Sequence, residues 1–217
     1  MTSSMSATLK DNNIVQAWLV LLLAICFGGL LAGIQLGLGP RIEQNKLNET
    51  REKVPELVLG AETAGQPSQD QETMAIDPLT ITVEKPSKLA RYSVFQAKKD
   101  GVLAGWVVKT AGQGYADKIE ILVGLSPDAS RVTGLFVLDQ KETPGLGNKI
   151  VTDDWRGQFV GKSTETPFEP VKGGAKADYE IDAITGATIS SVAVASIINA
   201  AVSDLKEPLR AKAGGQN

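Results

Sequence analysis

The sequence contains no histidine, and its single cysteine, Cys26, lies inside an uncharged apolar run. The polar part of the chain therefore gives no support to a zinc site, a bis-histidine haem, an iron–sulfur cluster, a Ser-His-Asp triad or a thiol nucleophile. With one cysteine, no disulfide can form within the chain. If the protein carries out redox chemistry, a bound organic cofactor must supply it.

The sequence also has no excess of positive charge. Its 22 lysines and arginines stand against 25 aspartates and glutamates, which gives a formal net charge of −3. Nucleic-acid binding needs a basic face, so we predict no nucleic-acid partner. The length of 217 residues allows one good-sized domain and an appendage.

One long stretch, residues 14–38, has no charged side chain. A bilayer core about 30 Å thick needs roughly 20 helical residues, and this stretch exceeds that length. A cleaved signal peptide has a shorter apolar core of roughly 7–15 residues and a small-residue cleavage site. A lipoprotein site at Cys26 is disfavoured by the bulky Ile25 before it. We therefore predict a retained, single membrane-spanning helix.

The charges that flank this span leave its orientation open. Before the span, the only positively charged groups are Lys10 and the amino terminus. After it, basic residues follow closely at positions 41, 46, 51 and 53. A count of basic residues favours a cytoplasmic domain, but long domains often cross the membrane regardless of flanking charge. Beyond the span, residues 41–53 are compatible with a helix that Pro55 stops or bends. Residues 61–73 are typical of a linker or loop.

The middle of the chain has the alternating pattern of strands. Asp100-Gly101 is a strong hairpin signal, and residues 126–128 suggest a second hairpin. We predict one antiparallel sheet from four or five strands, at residues 79–83, 92–97, 102–109, 119–125 and 132–138.

Near the C-terminus, apolar residues recur at the spacing of one helical face. They are Val194, Ile198, Ala201, Val202 and Leu205. We predict that this helix ends at Pro208. The fold class is α+β, a single transmembrane helix followed by a soluble domain with an antiparallel sheet and flanking helices. The predicted divisions are a tail (1–13), the span (14–38), a juxtamembrane helix and linker (39–75), the domain (76–208) and a C-terminal tail (209–217).

Residues 182–191 lie where an extended segment turns into this last helix. By themselves they are explained by a helix start, with Thr185 or Thr188 as the N-cap and Gly186 in the turn. The same geometry suits a phosphate, because a helix N-terminus presents free amides and a positive dipole. A hydroxyl esterified to that phosphate would be stabilised there. Gly186 and Ala187 leave space for a ring system.

Two motifs resemble those of FMN-binding domains. Asp-Ala-Ile-Thr-Gly-Ala-Thr at 182–188 resembles the family's flavinylation motif, and Lys-Glu-Thr-Pro-Gly-Leu-Gly at 141–147 is similar to its flavin-side loop. The two occur in the family's order. The chain length and the single N-terminal span resemble the G subunits of Rnf electron-transport complexes. The resemblance covers nearly the whole chain.

The resemblance implies that a flavin transferase joins FMN to Thr188 by a phosphoester bond. The residues that it implies for recognition are Asp182, Thr185, Gly186 and Ala187. The resemblance also implies that five residues border the flavin, namely Glu142, Thr143, Gly145, Leu146 and Gly147. The chain departs from many relatives at Gln140, where they have histidine, which weakens any role for a protonating side chain beside the ring.

The resemblance also implies a function. The chain would relay electrons through one flavin in an inner-membrane Rnf complex that couples ferredoxin and NAD to ion movement. Its partners would be the other subunits of that complex, and its flavin domain would lie on the periplasmic side. One alternative is the C subunit of the sodium-translocating NADH:quinone oxidoreductase, which shares both motifs but is longer. Another is an extracytoplasmic binding or sensor domain without a cofactor.

Several other side chains suit a flavin site but have a simpler explanation. Aromatic residues in amphipathic strands usually belong to the core, which we predict for Trp106, Trp155 and Tyr115. Scattered positive charge usually lies on the surface, which we predict for Arg156, Lys172 and Lys176.

Overall fold

The computed structural model describes residues 13–60, 74–85 and 88–215. These residues form two units, one that ends at Asn48 and one that begins at Glu49. The predicted linker at 61–73 and nearly all of the predicted N-terminal tail lie outside the described residues. The two units are described separately below.

The first helix, α1 (Asn13–Leu59), contains the predicted span and continues well beyond it. In the span the side chains are exposed, which is consistent with a single-pass membrane anchor. Of the two alternatives predicted for Pro55, the stop is wrong, because the helix continues to Leu59, four residues beyond it. Pro55 cannot donate a helical hydrogen bond. Burial of Val54, Leu57 and Val58 offsets that loss.

The second unit is built on one antiparallel sheet, as predicted. Its strands are longer than the sequence pattern indicated, and each pairs with the next in the order β1-β2-β3-β4-β5. Their bounds are β1 (Met74–Lys85), β2 (Lys88–Lys99), β3 (Val102–Gln113), β4 (Lys118–Leu125) and β5 (Val132–Asp139). The hairpin predicted at Asp100-Gly101 joins β2 to β3. Both residues have positive φ, 52° and 80°, as the two central residues of a type I′ hairpin turn require.

One face of the sheet packs against the last helix, α3 (Thr188–Gly214). The five apolar residues predicted to share one face of this helix are all buried. The prediction that the helix ends at Pro208 is wrong, since it continues to Gly214 with Pro208 inside it. Leu209 is fully buried in the same core, and this packing outweighs the hydrogen bond that proline cannot make.

The other face of the sheet packs against the end of α1 that belongs to the same unit. Val54, Leu57 and Val58 form a second core with residues of the sheet, namely Phe95, Ala97, Val107 and Leu122. The Thr133 hydroxyl donates a hydrogen bond of 2.6 Å to the Leu57 carbonyl oxygen. The sheet is therefore covered on both faces within this unit.

The remaining elements are short. A 3₁₀ helix (Gly147–Val151) and α2 (Asp153–Gly157) follow the sheet. Two strands then pair in parallel, β6 (Glu169–Val171) with β7 (Glu180–Asp182). The sequence pattern did not predict this pair. Because the pair is parallel, the chain that leaves β6 lies beside the chain that leaves β7.

Candidate functional site

A cavity of about 700 Å³ lies where the 141–147 loop meets the start of α3. Ligand sites in proteins typically have volumes of roughly 300–1,000 Å³, so this one can hold a nucleotide-sized molecule. Four segments of chain form its wall. The lining residues are Tyr115, Thr143, Leu146, Gly147, Lys172, Gly173, Ala183, Ile184, Thr185, Gly186, Ala187, Thr188, Ile189 and Ser190.

Thr188 is the first residue of α3 and is half-buried in the cavity wall. Ala187 occupies the N-cap position, and no side chain caps the helix. The expectation that Thr188 or Thr185 is the N-cap is therefore wrong. The first helical hydrogen bond runs from the Ser191 amide to the Ala187 carbonyl at 3.2 Å. The three preceding amides, from Thr188 to Ser190, have no partner within the helix, and they favour an anion at this end.

The two sequence motifs are in direct contact. Gly186 has φ +82°, a conformation that glycine adopts without strain. A Cβ at this position would lie 3.1 Å from the Leu146 Cδ2 atom, so the leucine of one motif packs on the glycine of the other. Leu146 remains 42% exposed. The structure therefore brings Thr143, Leu146 and Gly147 together with residues 185–188 around one cavity.

Three predicted site residues do not line the cavity. Gly145, with φ +76°, shapes the turn between Thr143 and Leu146. The Asp182 carboxylate accepts a 2.6 Å hydrogen bond from the Ala175 amide, and the Asp182 carbonyl accepts one of 2.9 Å from the Trp155 indole. Asp182 thus fixes the chain just before the turn at 184–187.

Glu142, the third of these residues, lies behind the cavity wall. Its side chain is only 4% exposed. One carboxylate oxygen accepts a hydrogen bond from the Ala116 amide at 3.1 Å, and the other accepts one from the Ser190 hydroxyl at 2.5 Å. The Glu142 amide donates to the Gln140 side-chain oxygen at 2.6 Å, so Gln140 supports this loop.

Two residues that the sequence reasoning set aside do line the cavity. Tyr115 is 64% exposed, so the prediction that it belongs to the core is wrong. Trp106 and Trp155 are buried in the core as predicted. Lys172 is an exposed lysine that lines the cavity beside residues 183–185, a placement that its surface-charge interpretation missed. Only the parallel β6–β7 pair explains it, and three-residue strands give almost no sequence signal.

The Tyr115 loop and the 141–147 loop are also joined at the surface. The Lys141 ammonium lies 2.9 Å from the Asp117 carboxylate. The pKa of Asp117 is lowered, chiefly by a hydrogen bond from the Lys118 amide and then by Lys141. Both side chains are exposed, so this ion pair adds little to stability.

Comparison with known proteins gives the relationships of the chain. A family model described as an FMN-binding domain matches residues 114–203, which include the whole cavity wall. The G subunit of the Na(+)-translocating ferredoxin:NAD(+) oxidoreductase complex of Acetobacterium woodii is 37% identical over 162 residues, which cover 74% of this chain and 75% of that protein. The G subunit of the ion-translocating oxidoreductase complex of Methanosarcina acetivorans is 40% identical over 102 residues, 47% of this chain and 52% of that protein.

Relatives of a second kind share the fold. The C subunit of the Na(+)-translocating NADH-quinone reductase of Vibrio anguillarum is 31% identical over 137 residues, 56% of this chain and 54% of that protein. The crystal structure of Shewanella oneidensis NqrC matches with a TM-score of 0.66 and 22% identity, over 77% of this chain and 99% of that one. The five-stranded sheet with its helices is therefore the NqrC-like fold. By the extent of its similarity to the Acetobacterium woodii protein, the chain belongs to the G-subunit family of ion-translocating oxidoreductase complexes, and it contains an FMN-binding domain.

Proposed function

We propose that the chain is a membrane-anchored electron-transfer subunit of an ion-translocating ferredoxin:NAD oxidoreductase, with FMN joined to Thr188 by a phosphoester bond. The observation that carries the proposal is the position of Thr188, which is the first residue of α3 and lines a cavity built from both flavin motifs. The matching relatives support the proposal, since the G-type protein of Acetobacterium woodii is 37% identical over 74% of this chain. The C subunit of an NADH-quinone reductase stays the alternative, with lower coverage.

The residues around Thr188 fit a phosphate ester. The amides of Thr188, Ile189 and Ser190 precede the first helical hydrogen bond, and the helix dipole favours negative charge at this end. Lys172 brings a positive charge to the same cavity. These groups would hold the phosphate after attachment. In the attachment step, the Thr188 oxygen would form the phosphoester bond as the pyrophosphate bond of a flavin dinucleotide breaks, and a nucleoside monophosphate would leave.

The rest of the cavity fits a flat apolar ring. Leu146, Ile184 and Ile189 supply apolar surface, and Tyr115 supplies an exposed aromatic ring at the wall. When bound, FMN would accept and release electrons. The chain's own residues would hold the flavin in place and keep part of it in contact with solvent. A covalent bond suits a relay, because a cofactor that must not dissociate cannot depend on a binding equilibrium.

The test of the covalent link is the fluorescence of the denatured protein. The full chain, produced together with a flavin transferase, is expected to give a band that fluoresces under ultraviolet light on a denaturing gel, because a bound but non-covalent flavin leaves the unfolded chain. The same chain from a host without the transferase is expected to fold and to give a dark band. A dark band in both preparations contradicts the covalent link.

The proposed location is the inner membrane, with the second unit on the periplasmic side and other subunits of the complex as partners. The apolar part of α1 supports anchoring. The side of the membrane is inferred from the family resemblance, against the count of basic residues at 41–53. We expect a C-terminal fusion to a reporter that works only outside the cytoplasm to be active. Activity of a matched reporter that works only in the cytoplasm contradicts this orientation.

A further inference from the structure

Three separate segments of the cavity wall meet at one buried carboxylate, that of Glu142. The loop after β3 presents Tyr115 to the cavity, the 141–147 loop presents Thr143 and Leu146, and α3 presents Thr188. The Ala116 amide of the first segment and the Ser190 hydroxyl of the third both donate to Glu142, which itself belongs to the second. Glu142 and Ser190 are 48 residues apart in sequence.

Two glycines allow the segments to approach this closely. A Cβ on Gly114 would lie 2.3 Å from a carboxylate oxygen of Glu142. A Cβ on Gly147 would lie 2.8 Å from the Ser190 hydroxyl oxygen and 2.9 Å from the Glu142 Cβ atom. Real side chains do not occupy such positions without a shift of their neighbours. Glycine at both positions therefore lets the backbone lie directly against the Glu142 side chain.

A second pair of hydrogen bonds holds the turn that precedes Thr188. The Ser191 hydroxyl accepts a 3.0 Å hydrogen bond from the Ile184 amide and donates one of 3.2 Å to the Ala187 carbonyl. It thereby ties the turn at 184–187 to the helix. Ser191 holds the chain that enters the helix start, and Glu142, through Ser190, holds the helix start against the two loops.

We propose that Glu142 is a positioning residue, which lies outside the cavity and holds the Tyr115 loop, the 141–147 loop and the start of α3 in the arrangement that presents Thr188 for flavin attachment. The proposal rests on the proposed function and deepens it. Its basis is that a buried carboxylate needs hydrogen-bond donors, and that the donors here come from two other segments, at Ala116 and Ser190. Loss of the side chain would separate the walls without opening the sheet.

The variants separate geometry from charge. Glu142→Ala removes both hydrogen bonds. Glu142→Gln keeps a carbonyl oxygen for the Ala116 amide and gives an amide that can donate to the Ser190 oxygen. The three segments are therefore expected to stay linked without a carboxylate. Glu169→Gln is the matched control, because Glu169 is an exposed carboxylate outside the cavity.

The measurement is the initial rate of FMN attachment to the purified full chain by a flavin transferase supplied with a flavin dinucleotide as donor, followed by intact mass. We expect Glu142→Ala to slow attachment by about tenfold or more, since small displacements of a reacting group have effects of this size. Glu142→Gln and Glu169→Gln are expected to stay within about twofold of the unmutated chain. An unchanged rate in Glu142→Ala, or a Glu142→Gln as slow as Glu142→Ala, overturns the proposal.

Hydrogen exchange of the flavin-free chain gives an independent readout. In Glu142→Ala, the amides of 114–117, 143–147 and 188–191 are expected to exchange faster while those of β3 and β4 do not change. If no FMN becomes attached to the unmutated chain, the proposed function fails, and this exchange pattern alone tests the positioning role of Glu142. If Glu142→Ala does not fold, Ser190→Ala replaces it, because that variant removes one of the two hydrogen bonds. Exchange in Ser190→Ala equal to that of the unmutated chain then overturns the proposal.

Discussion

Thr188→Val is expected to abolish flavin attachment while the domain keeps its fold. Valine has nearly the volume of threonine and lacks only the hydroxyl that the phosphate would esterify. The Thr188 side chain caps no amide of α3, so its loss removes no helix cap. We expect the free energy of unfolding to change by less than about 1 kcal/mol. Mass spectrometry of the tryptic peptide 177–206 reads the result, because that peptide contains every hydroxyl at this helix start.

The structure favours Thr188 over Ser190 and Ser191, the other hydroxyls on the first turn of this helix. Ser190 is 2% exposed and donates to Glu142, and Ser191 is fully buried between Ile184 and Ala187. Thr185 is exposed in the turn before the helix, so Thr185→Val is the matched control. We expect Thr185→Val to retain the adduct in reduced amount and Thr188→Ser to retain part of it. An FMN-sized adduct in Thr188→Val, or one that maps to Thr185, Ser190 or Ser191 of the unmutated chain, contradicts the assignment.

The sequence predicts the sheet and the helix of this domain because their signals are local. Alternating apolar residues and Asp100-Gly101 specify neighbouring antiparallel strands, which need no information from distant parts of the chain. The five buried residues of α3 have helical spacing. Neither Pro55 nor Pro208 ends its helix, for one physical reason. A proline removes one hydrogen bond, and the burial of Leu57 near Pro55 and of Leu209 beside Pro208 outweighs it.

The two motifs predict which loops form the cavity, but they do not predict which of their residues line it. Leu146 and Gly186 meet because two distant loops converge, which the motif order alone does not predict. Glu142 belongs to a motif and yet lies behind the wall, where its hydrogen bonds are with residues from other segments. Lys172 reaches the cavity through the β6–β7 pair. Long-range pairing of this kind leaves no periodic pattern in the sequence.

The segment from Glu49 to Leu59 gives a further example. Its sequence is charged and includes Pro55, which favours a plain connector between span and domain. Val54, Leu57 and Val58 recur at helical spacing, however, and they cover one face of the sheet. Three apolar side chains among charged residues are too few to define an amphipathic pattern. Their role follows from the sheet face opposite them, whose apolar residues would otherwise meet water.

Leu57→Ala is expected to destabilise the domain strongly, although Leu57 lies in the helix that contains the predicted membrane span. Leu57 is 4% exposed and belongs to the second core, so its truncation leaves a cavity against the sheet. Such substitutions cost about 2–5 kcal/mol. In a domain of this size, that corresponds to a fall of about 4–20 °C in the melting temperature. Thermal unfolding of the full chain in detergent, followed by tryptophan fluorescence, measures it through the buried Trp106 and Trp155.

The matched control for this prediction is Leu47→Ala, since Leu47 lies on the same helix and is 48% exposed. We expect that variant to melt within about 2 °C of the unmutated chain, because exposed sites contribute little to stability. Gly124→Ala tests the same contact from the sheet. Its Cβ would lie 2.3 Å from the Leu57 carbonyl oxygen and 2.6 Å from the Thr133 hydroxyl oxygen that donates to it. Alanine there must displace the helix end, so a loss of about 1–3 kcal/mol is expected. Equal melting temperatures for Leu57→Ala and Leu47→Ala would show that the end of α1 does not stabilise the sheet.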